Sequence, residues 1–269
     1  MKKIFFLALA ISSMLATSCK KDKNDWKSGD TGPIGIHFDN RWGDHDFVIG
    51  QEETTPNGEK LTPSKMKYYI SNVVFNNADG SKYVVPQDES YFLIDGNDPE
   101  TEELEFENVP AGNYESVTFT LGVDSLRNTK DISERTGVLD ITAAAKDMYW
   151  DANSGYIFYN LEGTSPASTK AGNAILYHLG GFGGSTTPTF NNLKTITITA
   201  DHSDSEHQDA EVRIDRAPEF HLYVDASKLF AGETAVKISE HPSVELEPFC
   251  VHVCHNFPGM FSLDHVHND

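Results

Sequence analysis

"YESVTFTLGV", residues 114 to 123, places Val117, Phe119, Leu121 and Val123 at every second position, with Thr118, Thr120 and Gly122 between them. A period of two is the signature of a strand that buries one face and wets the other. Working outward from this stretch, the same texture recurs. Upstream lie "GPIGIHF" (32–38), "KMKYYISNVVF" (65–75), "KYVVP" (82–86), "SYFLID" (90–95) and "ELEFENV" (103–109). Downstream lie "SGYIFYNLEG" (154–163), "AILYHLG" (174–180), "LKTITITA" (193–200), "EVRID" (211–215) and "EFHLYVD" (219–225). Each is strand-length, rich in aromatic or β-branched residues and bordered by Gly, Pro, Asn or Asp. The expected fold is all-β, a single-domain two-sheet β-sandwich with long loops and one or two short helices, near "ITAAAKDMYW" (141–150) and "DASKLF" (225–230). No internal repeat or second domain boundary stands out, so the domain is read as residues 32–269.

Ahead of it, "MKKIFFLALAISSMLATSC" has a basic start at Lys2 and Lys3, an apolar run from Ile4 to Ala16 and small residues leading into Cys19. The run is too short to span a bilayer and fits a signal peptide over residues 1–18. Small residues directly before a cysteine resemble a bacterial lipobox, which makes Cys19 the expected lipidation site and residues 19–31 a charged, flexible tether. The chain is then expected in the cell envelope, on the periplasmic side or the outer-membrane surface, meeting the membrane only through its lipid. A formal net charge of −20 argues against nucleic acid as a partner, because phosphate binding needs a basic surface.

The remaining chemistry is concentrated in histidines. In "FCVHVCHNFPGMFSLDHVHND" (249–269), His265 and His267 stand two apart, so a strand would project both imidazoles from one face. Imidazole suits copper, zinc and nickel, and sulfur from Met260 would favour Cu(I). Cys250 and Cys254 would lie too far apart on a strand for a disulfide, whereas a turn or a helical turn would bring them together. Their spacing leaves open a soft thiolate-imidazole site, a disulfide and two buried thiols. It does not match the haem-attachment motif, which has two intervening residues. His37 alternates away from Ile36 and Phe38, and Trp42 and His45 follow it closely. His178 alternates away from Tyr177 and Leu179 and is followed by glycines. The loop "DHSDSEHQD" (201–209) is acidic but lacks the glycine and terminal glutamate of an EF-hand. No Gly-x-Ser-x-Gly, Walker or His-Glu-x-x-His motif occurs, so catalysis is not the default.

Four stretches, "KMKYYISNVVF", "VPAGNYESVTFTLGVDSLRN" (109–128), "DMYWDANSGYIFYNLEGTSP" (147–166) and "YHLGGF" (177–182), together with "MFSLDHVHND" (260–269), resemble the MbnP-like copper-binding proteins, in particular their lipoprotein branch. The resemblance runs from about residue 33 to the end. It implies extracytoplasmic copper binding, for capture or hand-off, through histidines from distant segments: His37, His45, His178, His265 and His267 are the candidates. Some relatives add a tryptophan-derived kynurenine made by a dihaem partner protein, which makes Trp42 and Trp150 candidate ligands. Proteobacterial members carry an "HLGSTGC"-like stretch where this chain has "HLGGFGG" (178–184), so part of their pattern is absent. Two rival readings are a surface module that binds glycan or protein, and one whose metal is a purely structural zinc.

Overall fold

The computed structural model describes residues 26–200 and 208–268. The signal peptide, Cys19, residues 20–25 of the tether and residues 201–207 of the acidic loop lie outside the described residues. The strands in the first half of the chain are β1 (Thr31–Trp42), β2 (His45–Asp46), β3 (Glu53–Thr54), β4 (Lys60–Asn77), β5 (Lys82–Val84), β6 (Tyr91–Asp95), β7 (Glu103–Pro110) and β8 (Gly112–Leu121). Those in the second half are β9 (Tyr149–Asp151), β10 (Gly155–Thr164), β11 (Ala174–Gly180), β12 (Lys194–Thr199), β13 (Ala210–Val212), β14 (Glu219–Asp225), β15 (Ser243–Val244) and β16 (Phe261–His267).

They form two sheets. The smaller runs β16-β14-β1, with β2 and β7 both pairing with the other edge of β1. The larger runs β12-β8-β4-β10-β11-β15, extended by short strands. The fold is therefore a mostly antiparallel β-sandwich, as the period-two texture implies. Two pairings break the antiparallel pattern: the short β15 runs parallel to β11, and β1 and β14 run parallel, with Ile36 opposite Phe220 and His37 opposite His221. A parallel neighbour needs a long crossover, and here all of the larger sheet except β15 intervenes in sequence between β1 and β14.

Alternation decides what meets in the middle. Ile34, Ile36, Phe38 and Trp42 of β1 are buried with Phe220, Leu222 and Val224 of β14. They share one cluster with Phe75, Phe119, Leu121, Tyr159, Tyr177 and Leu179 from the larger sheet. Phe38 meets Phe119 edge-to-face at 5.4 Å, an arrangement that matches ring edge to ring face. A second cluster holds Tyr69, Val123, Leu139, Met148, Tyr156, Phe158 and Phe182. It explains why residues 155–161 are buried without a break: the segment after β8 packs over that end of β10, so neither face is wet.

The helices differ from the sequence reading. Residues 141–147 form successive turns, opened by Asp140, whose Oδ1 accepts hydrogen bonds from the Thr142 amide and hydroxyl. "DASKLF" forms a 3-10 turn over Ala226–Phe230, capped by the Asp225 side chain. The α-helices are α1 (Ser125–Asn128) and α2 (Pro248–Cys254), the latter inside the cysteine-histidine segment. Pro248 opens α2, where its fixed φ and missing N–H cost nothing. Among the described residues, no helix is long and apolar enough to cross a membrane.

Candidate metal centre

Because Ile36 and Phe38 point into the core, His37 must point out of the smaller sheet, and the same alternation turns out His221 between Phe220 and Leu222. Register does the rest. His37 is opposite His221 across β1 and β14, and His221 is opposite His265 across β14 and β16. One rung on, Glu219 is opposite His267. Adjacent strands lie about 4.8 Å apart, so these side chains are forced into contact. The ring centroids are 5.0 Å apart for His37 and His221, 4.4 Å for His221 and His265, 5.6 Å for His221 and His267, and 5.3 Å for His265 and His267.

Carboxylates border this row of imidazoles. Glu219 Oε2 is 2.7 Å from His221 Nε2, and Asp264 Oδ2 is 2.9 Å from His265 Nδ1. Glu102 Oε2 stands 3.9 Å from His37 Nε2 and Glu102 Oε1 accepts a hydrogen bond from Asn40. Burial, with the nearby His265 and His37, holds the His221 imidazole below its usual pKa although Glu219 pulls the other way. A histidine biased toward its neutral form keeps a lone pair for a metal. Burial also raises the Asp39 and Glu102 carboxyls, and Asp46 adds to this in both cases.

The donor set suits a copper ion: several imidazoles on one face, with carboxylates beside them. Among the described residues, no group of three or more His, Cys, Asp or Glu side chains is already arranged to hold an ion. His221 and His265 are stacked, with an interplanar angle of 19°, so capture requires these rings to turn about their side-chain torsions. Backbone register supplies proximity and the side chains supply the adjustment.

The structure thus brings together His37, His265 and His267 and adds His221, which the sequence reading placed in a strand but did not single out. Its signal was there in "EFHLYVD", a histidine between two inward apolar residues, as in "GIHF". The other candidates lie elsewhere. His178 projects from the outer face of the larger sheet, where its Nε2 is 3.0 Å from Glu162 Oε1. The full thickness of the sandwich, more than about 10 Å, separates that face from His37. His45 sits on the exposed β1-β2 hairpin, held by Asp44 and by Glu53 Oε2 at 3.0 Å. Hydrogen bonds that its ring donates to the Asp44 and Glu53 carboxylates raise its pKa.

Neither tryptophan joins the imidazoles. Trp42 is on the inward face of β1, 3% exposed, stacked on Phe47, with its indole N–H donating to Thr54 O at 3.0 Å. Trp150 packs over Gly180 on the larger sheet and lines a groove with Asp151, Ser243 and Glu245. Met260 is 1% exposed in a 3-10 turn and joins the core together with Phe257, which removes the sulfur expected to favour Cu(I).

Fold and face together define a β-sandwich with a cluster of imidazoles on one outer sheet surface. The MbnP family model matches residues 31–248, and the chain belongs to the MbnP family. Among solved structures, MbnP from Methylosinus trichosporium is similar in fold, with a TM-score of 0.55 at 16% identity, covering 81% of this chain and 82% of that one. No curated protein matches the chain.

Proposed function

We propose that this protein binds copper for capture or hand-off at the outer face of the smaller sheet, with His37, His221, His265 and His267 as the ligand pool. Membership of the MbnP family supports a copper-related role in general terms. The observation that carries the specific reading is the convergence of four imidazoles from three strands, with ring centroids 4.4 to 5.6 Å apart. Metal–nitrogen bonds of about 2 Å need donor atoms roughly 3 to 4 Å apart, within reach of rings so placed. Nitrogen donors flanked by carboxylates serve Cu(I) and Cu(II), so the expectation of Cu(I) becomes a matter for titration.

The site binds rather than turns over substrate in this reading, and the protein works outside the cytoplasm, anchored through a lipid on Cys19. Protein expressed in a bacterium from the complete sequence should be recovered without residues 1–18 and with the lipid mass on an N-terminal Cys19. For the metal, purified protein is loaded anaerobically with Cu(I) and, separately, with Cu(II), then desalted and assayed. Replacing all four histidines with alanine should abolish copper retention at this face. Unchanged stoichiometry and affinity in that variant, with its fold intact by circular dichroism, would refute the assignment.

A further inference from the structure

The short helix α2 carries a second cluster of ligand chemistry. Cys250 and Cys254, one helical turn apart, are both free and both 0% exposed, with their Sγ atoms 3.7 Å apart. Asn192 Nδ2 lies 3.6 Å from Cys250 Sγ while also donating to Gly180 O at 2.7 Å. Asn192 is itself 0% exposed, and its Oδ1 has no hydrogen-bond partner. The Asn192 amide nitrogen is thus shared between the Gly180 carbonyl and the Cys250 sulfur, and a sulfur carrying negative charge accepts such a bond more strongly than a thiol does.

We propose that Cys250 and Cys254 form a buried bis-thiolate site for one soft monovalent cation, Cu(I), separate from the imidazole face. Soft thiolates select Cu(I) over harder ions. Two metal–sulfur bonds of roughly 2.2 Å in a straight line set the sulfurs about 4.4 Å apart, so the pair needs to open by about 0.7 Å. A disulfide of about 2.05 Å would need it to close by roughly 1.6 Å within a helical turn. The smaller movement is the opening one. Binding balances as two thiols plus Cu(I) giving the S–Cu–S unit and two protons, with one net negative charge on the unit. A donor already faces that charge: the Asn192 side-chain amide, directed at Cys250 Sγ. His252 lies on the other side of α2, exposed, and takes no part.

The test uses the full chain, reduced and anaerobic, loaded with two equivalents of Cu(I) supplied as its acetonitrile complex. Copper X-ray absorption should show a sulfur shell at about 2.2 Å besides nitrogen. Cys250→Ser and Cys254→Ser should each lose that shell and about one equivalent of copper, while copper on the histidines stays. Replacing the four histidines should do the reverse, so failure of this site and failure of the imidazole site are distinguishable. A nitrogen-only shell in the unaltered protein, an unchanged copper count in both serine variants, or recovery of a Cys250-Cys254 disulfide from the copper-loaded protein would overturn the proposal. If the serine variants do not fold, the sulfur shell of the unaltered protein decides alone.

Discussion

His221 and His265 lie face to face across β14 and β16, their ring centroids 4.4 Å apart and their planes 19° from parallel. Two imidazoles this close on half-buried strands repel when both are charged, and a metal ion, which binds neutral imidazole and releases its protons, avoids that pair of charges. His221 is thus the centre of the row, touching His37, His265 and His267.

Replacing His221 with alanine should therefore weaken copper binding more than any other single change on that face, by at least about tenfold on the scale known for ligand and ligand-support losses. His178→Ala, on the opposite face, should leave affinity unchanged. Competition with a chromophoric chelator measures both. Equal losses in the two variants would contradict the placement of the site.

Trp42 tests whether a sequence neighbour of His37 is a ligand or a core residue. Its ring is buried against Phe47 and Phe230, so Trp42→Ala should cost about 3–5 kcal/mol in urea unfolding. Trp42→Phe should cost much less and leave copper affinity within error. A large affinity loss in the phenylalanine variant would return Trp42 to the ligand set.

Backbone geometry gives a third expectation. Gly122 has φ +119°, and a Cβ there would stand 2.6 Å from Phe158 Cδ2. Gly122→Ala should destabilise the fold by about 1–3 kcal/mol through strain alone, with further loss from the displaced ring. The thermal midpoint reports it, and an unchanged midpoint would mean that neither the backbone at Gly122 nor the Phe158 ring resists a side chain there.

Acid sensitivity should centre on Lys65. Burial alone would raise the Asp147 and Glu162 carboxyls, but hydrogen bonds from Lys65, joined at Glu162 by His178, hold both below their usual pKa. The folded state therefore binds fewer protons than the unfolded chain. The resulting stability is complete above the ordinary carboxylate range, near pH 4–4.5, and is lost as pH falls through the depressed folded values. Lys65→Met should flatten that part of the stability-pH curve, measured by urea midpoints between pH 6 and 3. An unaltered slope would show the cluster to be screened by solvent.

Much of this was legible in the chain. Period-two alternation in residues 114–123 and its neighbours fixes which side chains enter the core, and so turns His37, His265 and His267 outward. Strand pairing was not legible. That β1 pairs with β14 in parallel, setting His37 beside His221, depends on a crossover through most of the larger sheet, and no local pattern encodes it. The same gap misplaced His178, whose alternation is identical to that of His37 but whose strand belongs to the other sheet. Residues 249–254 were ambiguous for a different reason: "FCVHVC" satisfies a strand pattern as well as a helical one, and Pro248 with local hydrogen bonding decided for the helix.

The parallel union of β1 with β14 has a kinetic corollary. Loop-closure entropy makes so distant a pairing one of the last to form, after the larger sheet has assembled from its nearer contacts. The imidazole row then comes into being only with the finished sandwich, so an ion held there reports maturation and cannot template it.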